Sequence, residues 1–500
     1  MTSVETTSLL VENPGVVREE GTKSEQWKPS AIVSDFATLG AGTALAAVFN
    51  TLMVFLIPRL VSVEEYGYWR LFLLYAGYVG FLHFGFVDGA LLRWAGRTLE
   101  TIHHDVGPSW KYLVLQHAAV ILPLCAILGV VPRVPGHIRI VCAGVLVFGL
   151  IVNSVTLLQY SLQGARVFRP VAVAAAIPPG AFVALVFVCR LRSTPTANEL
   201  TVLYGVAWMV VLLYLWARVR PRLGSSSESS WSLGKKLTAV GWPVVLANTA
   251  FGLVQSADRL VVSSAMPIHD FAQYSLAAST MFVPVTAILA ISRVFFSHAA
   301  VLEHEDRAKI YARVSRLLLA AWSLLPPYFF VLQAFVQRFL PKYIPSLPMA
   351  GVLLFAVIFV AGIQILHTSY FYLYERQREF LYLSLGALAV GLFVALAITV
   401  KLRSLFAIAV GQVGALAFWW LLNEWTLRRI TGQSGRDWLR VFSVVGWSAA
   451  SFAFTLWSVA RMSLRIPLYY ALVACILWFC LGDDLRFSWR LVRASAAGAS

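Results

Sequence analysis

Long apolar stretches separated by short polar turns run through almost the whole chain. Fourteen of them approach or exceed the roughly 20 residues that cross a bilayer: 31–57, 68–92, 112–131, 138–160, 170–189, 199–217, 237–262, 271–297, 315–337, 347–373, 380–400, 404–423, 440–460 and 466–482. A backbone in lipid must satisfy its own hydrogen bonds, so runs of this length predict helices. The alternating ten-residue segments of a membrane barrel are missing from the pattern. The predicted fold is therefore all-α: a polytopic integral membrane protein of about fourteen transmembrane helices.

The polar turns carry an internal echo. After the first stretch comes Val63-Glu64-Glu65-Tyr66-Gly67-Tyr68-Trp69, and after the seventh comes Ile268-His269-Asp270-Phe271-Ala272-Gln273-Tyr274. Apolar, acidic and aromatic classes align at a shift of 205 residues (270 minus 65). This predicts two pseudo-symmetric six-helix lobes, 31–217 and 237–424, joined by a Ser-rich linker at 218–236. Residues 425–500 add two more spans and a tail, and the acidic segment 1–30 reads as a disordered cytoplasmic tail. An even number of helices per lobe makes the repeats parallel, related by an axis along the membrane normal, with a central cavity between them.

Composition agrees with the pattern: 59% of residues are apolar and 13% charged, against about 25% charge in soluble domains. Placing the N-terminus inside puts 27 Lys and Arg on the cytoplasmic side and 12 outside, with Arg259 within a span. The positive-inside rule then places both termini in the cytoplasm, in an inner (cell) membrane. The net charge of +16 is read as this loop asymmetry, not as a nucleic-acid surface, because no basic cluster has interleaved aromatics. Cys125, Cys142, Cys189, Cys475 and Cys480 all fall in apolar stretches, which argues against a disulfide framework or a metal site. No cofactor is expected. Pro123, Pro178-Pro179, Pro243, Pro284 and Pro326-Pro327 predict kinked spans.

Ionisable residues inside spans are costly and usually face a cavity or a partner. Asp88 and Arg93 lie near the inner end of the second span, Asp258-Arg259 near the outer end of the seventh, and Arg293 near the inner end of the eighth. Snorkelling to the interface is the plainer reading for Arg93 and Arg293. The echo shift carries Asp88 onto Arg293, predicting opposite charges that meet when the inner side closes. Arg59, Glu64 and Glu65 are expected to face Asp258 and Arg259 at the outer mouth, so Glu64, Glu65, Asp88 and Asp258 are the candidate gating and ion-coupling groups.

Several short motifs resemble polysaccharide exporters of the Wzx type, flippases of the multidrug/oligosaccharidyl-lipid/polysaccharide superfamily. They are Ile57-Pro58-Arg59-Leu60-Val61-Ser62, the Glu64 to Trp69 turn, Gly85 to Arg93, Gly241-Trp242-Pro243, Asp258-Arg259-Leu260-Val261 and Ala272-Gln273-Tyr274. Ala272 departs from the glycine expected there. The resemblance implies export of an undecaprenyl-diphosphate-linked oligosaccharide unit for surface polysaccharide such as O-antigen, coupled to H+ or Na+ and partnered by membrane lipids and a glycan polymerase or other assembly proteins. Guanidinium suits a diphosphate through parallel donors, and Arg59, Arg93, Arg259 and Arg293 are the candidates. Trp69, Tyr75, Tyr78, Trp242 and Tyr274 are available to stack on sugars, or serve as packing and interfacial anchors.

Two other functions fit a polytopic chain. A drug or cation antiporter of the same double-bundle fold needs an acidic cavity, whereas each acid within a span here has an Arg nearby. A glycan polymerase or ligase needs catalytic groups on a large outer loop, and every predicted outer connection is short. His83, His117, His137 and His367 lack metal-ligand spacing, and no nucleophile–base pattern stands out, so no catalytic residue is assigned. His83 and His367 are read as proton carriers or as packing histidines.

Overall fold

A computed structural model describes residues 29–130, 135–221, 230–281, 304–432, 436–458 and 464–480, with Arg461 and a few isolated positions between 282 and 303. Among the described residues the regular structure is helical throughout, with no strand. Ten helices among the described residues are long and apolar enough to cross a membrane, or eleven if the bent pair Val63–His83 and Phe86–Trp94, which meet at 61°, is counted as one span. Val441–Trp457 and Leu464–Cys480 are shorter apolar helices, and the expected eighth span is described over Ile268–Ser279.

The first half runs α1 (Pro29–Leu60), α2 (Val63–Ala76), a 3-10 turn at Val79–His83, α3 (Phe86–Trp94), α4 (Leu99–Val130), α5 (Gly136–Gly164), α6 (Phe168–Arg190) and α7 (Ala197–Val219). The second half opens with α8 (Ser230–Val254), α9 (Ala257–Ala265) and α10 (Ile268–Ser279). It continues with α11 (His304–Ser323) and α12 (Tyr328–Phe339), which are separated at Pro326-Pro327. Next come α13 (Leu347–Leu353), α14 (Ala356–Ala361), a π-helical turn at Gly362–His367 and α15 (Thr368–Leu373). The long helices α16 (Gln377–Leu402), α17 (Leu405–Thr431) and α18 (Arg436–Ser458) follow, and α19 (Leu464–Cys480) closes the described chain.

Helix ends follow the local chemistry. The Ser62 hydroxyl accepts from the Glu65 amide and starts α2. Thr196 and Glu199 form a reciprocal capping box at α7, which satisfies two amides that would otherwise be orphaned. Several helices outrun the apolar pattern. The α8 helix begins at Ser230 inside the expected linker, because its first turn is amphipathic: Trp231 carries Lys235 over its ring. The α4 helix begins at Leu99, thirteen residues before the stretch starting at 112, and this polar turn holds Asp105 against Arg93.

Large apolar side chains cover the outside. Leu115, Leu122, Leu213, Phe393, Trp457 and Phe479 are all exposed, a surface that water would penalise and lipid accepts. The interior is continuous between the halves: one core cluster unites Trp69, Phe72 and Phe182 with Phe271, Tyr274, Tyr343 and Phe452.

Candidate functional site

The halves touch at both ends of the bundle. At the end carrying the 61–62 turn, α2 packs on α10, so the two copies of the echo lie against each other. A Cβ on Gly67 would lie 2.7 Å from the Ile268 carbonyl oxygen and 3.3 Å from the Ala272 methyl. The 205 shift pairs Gly67 with Ala272, so each residue packs on its own counterpart. Nearby, Lys342 Nζ donates to the Val61 carbonyl at 3.1 Å, Gln273 donates to the Lys342 carbonyl at 2.9 Å, and the Tyr66 and Tyr343 rings meet edge-on at 5.5 Å.

The residues expected to oppose one another across this mouth do not pair in this state. Arg59 lies over the Phe339 ring at 5.8 Å. Glu65 accepts from the Ala197 amide at 2.5 Å, which pins its charge at the N-terminus of α7 in its own half, where the helix dipole favours an anion. Glu64 is exposed. Asp258 is buried and accepts from the Tyr274 hydroxyl at 2.6 Å, also within its own half, while its other oxygen has no hydrogen-bond partner.

At the opposite end α3 packs on α8 backbone to backbone. A Cβ at Gly241 would collide with the Gly85 carbonyl, and one at Gly89 with the Leu237 carbonyl. Asp88 sits in the first turn of α3, 3.9 Å from His83 Nε2. Arg93 donates to Asp105 at 3.2 Å. The expected partner of Asp88, Arg293, lies outside the described residues.

Within the first half a cavity of about 180 Å³ opens beside α2, lined by Asn50, Met53, Tyr66, Trp69, Arg70 and Tyr204 together with Val54 and Leu73. Arg70 Nε and the Tyr66 hydroxyl are both buried there without a hydrogen-bond partner. Arg259 of the second half is near enough for the two guanidinium charges to repel. A buried donor with no acceptor is unfavourable, and two cations held close together make a place where an anion would be welcome.

The echo shift pairs Met53 with Asp258, Trp69 with Tyr274 and Arg70 with Ser275. In the second half the Tyr274 hydroxyl donates to Asp258; in the first, Trp69 stacks on Phe182, with ring centroids 5.2 Å apart, and lines the cavity with Arg70. Trp69 and Tyr274 are thus packing residues, Tyr78 hydrogen-bonds Ser256 across the halves, and Tyr75 and Trp242 stay partly open.

Arg70 escaped the sequence reading because it lies one turn into a span that counted it among outer charges. A second buried cluster was also missed. Glu424 accepts from Arg428 Nε at 2.7 Å, from Tyr311 at 2.7 Å and from His367 Nε2 at 2.9 Å. Glu424 and Arg428 sit one turn apart at the end of an apolar helix, a spacing that reads as a surface pair. Only α11 and the π-helical turn, folded over them, bury the charges. Among the described residues no group of three or more His, Cys, Asp or Glu is placed to hold a metal ion.

Comparison with known proteins places this architecture. No curated protein sequence matches the chain. Among solved structures, "Lipid II flippase MurJ, inward closed conformation" superposes with a TM-score of 0.67 at 10% identity, covering 91% of this chain and 100% of that one. An inward-facing multidrug resistance MATE family transporter of the MOP superfamily gives 0.55 at 13% identity, covering 79% and 96% respectively. A MATE in complex with MaL6 gives 0.51 at 14% identity, covering 80% and 96%. At these identities the likeness is one of fold. A family described as "Polysaccharide biosynthesis protein" matches residues 56–340, more than half of the chain. The duplicated bundle is a membrane fold shared with MurJ and MATE transporters, and the chain belongs to the polysaccharide biosynthesis protein family.

Proposed function

We propose that the protein carries an undecaprenyl-diphosphate-linked oligosaccharide from the cytoplasmic to the outer leaflet of the cytoplasmic membrane, its two lobes rocking about a central site. The observation that carries this reading is Arg70: a half-buried side chain whose Nε is buried without a hydrogen-bond partner beside a cavity, with Arg259 of the other half near enough to repel it. Membership in a polysaccharide biosynthesis family supports a glycan as the cargo. A diphosphate supplies an acceptor for the unpartnered Arg70 Nε and further acceptors for Arg259, which already donates to the Gln255 carbonyl at 3.4 Å, and Tyr66, Tyr204 and Asn50 offer hydrogen-bonding groups to sugars. Both termini are cytoplasmic in this reading, which makes the Gly67–Ala272 contact the outer closure and the Gly85–Gly241 contact the inner one. The coupling ion is H+ or Na+, and a glycan polymerase with its assembly proteins receives the flipped unit.

A cation antiporter is disfavoured by the same site. Two acids within spans are already engaged, Asp258 by Tyr274 and Glu424 by three donors, and the open cavity holds a cationic group instead.

The test is made in cells lacking the gene. Lipid-linked glycan should accumulate on the cytoplasmic leaflet, and normal surface glycan after deletion would sink the reading. Complementation with Arg70→Met keeps the bulk and removes the donors. Charged hydrogen bonds contribute about 1.5–3 kcal/mol each, so export should fall about ten- to hundredfold while the protein stays at wild-type abundance.

A further inference from the structure

The second span is broken where α3 begins. Phe84 and Gly85 both adopt positive φ, 47° and 81°, a pair of left-handed residues that only local bonding holds in place. Gly85 is also the residue that touches Gly241, so the shape of this turn sets the closest approach of the two halves at that end. The bond that holds the turn comes from His83: the Gly85 amide donates to His83 Nδ1 at 3.1 Å, buried from solvent.

This bond fixes the imidazole's protonation. A ring nitrogen that accepts from an amide carries no proton, so the single proton sits on Nε2, on the side of Asp88. At 3.9 Å that carboxylate is too far for a hydrogen bond but near enough to attract charge. A second proton would go onto Nδ1 and set two donors face to face across the contact with Gly85. The ring would then turn from Gly85 and close on Asp88 as a charge-assisted pair, exchanging one bond for another. Asp88 is held ready for this by its place in the first turn of α3, where the helix dipole favours a carboxylate.

The other titratable groups around the ring do not compete for these roles. His117 of α4 donates from Nδ1 to the Leu113 carbonyl, and its Nε2 accepts from Asn153. Tyr160 of α5 faces Asp88. From α8, Leu237, Gly241 and Trp242 pack on the turn, and the ionisable groups of that helix are Lys235 and Lys236, toward its start. Arg93, further along α3, is engaged by Asp105.

We propose that His83 is a proton-binding site whose occupancy controls the α3–α8 contact: neutral, it holds the Gly85 turn against Gly241; protonated, it transfers to Asp88 and releases the halves at that end. The contact is therefore favoured at high pH and lost as pH falls. Linkage of one proton changes the closed-to-open ratio by at most about tenfold per pH unit. The inference goes beyond the glycan reading and does not need it, because the contact is measured without cargo.

The experiment uses full-length protein in nanodiscs with its five free cysteines replaced. Nitroxides are placed at Leu92 on α3 and Val240 on α8, exposed positions beside the contact. Electron spin resonance distances are recorded from pH 8 down to about pH 4, a range that runs well below the titration of a free histidine because the ring is buried. In the wild type the short-distance population should give way to a longer one as pH falls. His83→Gln retains an acceptor for the Gly85 amide and cannot titrate, and should hold the short distance throughout. Asp88→Asn removes the ion-pair partner and should move the wild-type transition to lower pH. A wild-type distance that ignores pH overturns the proposal, as does a His83→Gln variant that opens like the wild type. Should His83→Gln not fold, a transition in Asp88→Asn at the wild-type pH overturns it equally. None of these results bears on whether the cargo is a glycan.

Discussion

Glu424 offers the sharpest energetic prediction. Its carboxylate is 1% exposed and accepts three hydrogen bonds, from Arg428, His367 and Tyr311, which are 4%, 0% and 0% exposed. Glu424→Ala deletes the acceptor these three bonds share and removes the carboxylate that Arg428 Nε pairs with at 2.7 Å in the interior. Removing one member of a buried ion pair typically costs about 3–5 kcal/mol, whereas replacing both members by apolar groups of similar volume is often neutral or stabilising. The single variant should therefore lose roughly two to four powers of ten in the ratio of folded to unfolded protein. The double variant Glu424→Leu with Arg428→Met should recover most of it. Fusion to a fluorescent reporter allows the folded fraction to be followed by size exclusion after heating in detergent. A single variant as heat-resistant as wild type, or a double variant no better than the single, would refute the claim that this pair is buried and mutually dependent.

Two further outcomes follow from the closure at the other end. Gly67→Ala places a methyl 2.7 Å from the Ile268 carbonyl, so α2 and α10 must separate; a cysteine introduced at Val61, 2% exposed, should label with an aqueous maleimide several-fold faster in that background, and unchanged labelling would count against the contact. Glu65→Ala removes the anion at the start of α7, a loss of about 1 kcal/mol for a capping contact, and hydrogen exchange at Ala197 to Leu200 should speed up about fivefold while α4 amides are unaffected.

Apolar run length was enough to show that the chain is a helical membrane protein, because a backbone in lipid has almost no alternative. It could not show where spans break, since the 61° bend falls at Phe84-Gly85, where two residues of an otherwise apolar run take positive φ. The acids and arginines inside spans were visible as costly residues, yet their partners were not. Glu65, expected at the outer mouth, caps α7 in this state, and Arg93, a candidate for the diphosphate, donates to Asp105. Each found the nearest favourable field within its own half, and a pattern along the chain does not carry that geometry. Arg70 and the Glu424 cluster were overlooked because charge near a predicted helix end looks solvated until the neighbouring helices are in place.

The meeting of Gly67 with Ala272 makes this closure one-sided. A Cβ on residue 67 would lie 2.7 Å from the Ile268 carbonyl oxygen and only 3.3 Å from the Ala272 methyl, so the obstacle on that side is backbone, which cannot turn aside as a side chain can. The side carrying position 272 already fills the gap with one carbon, and any growth at position 67 has to be met by retreat of the whole start of α10.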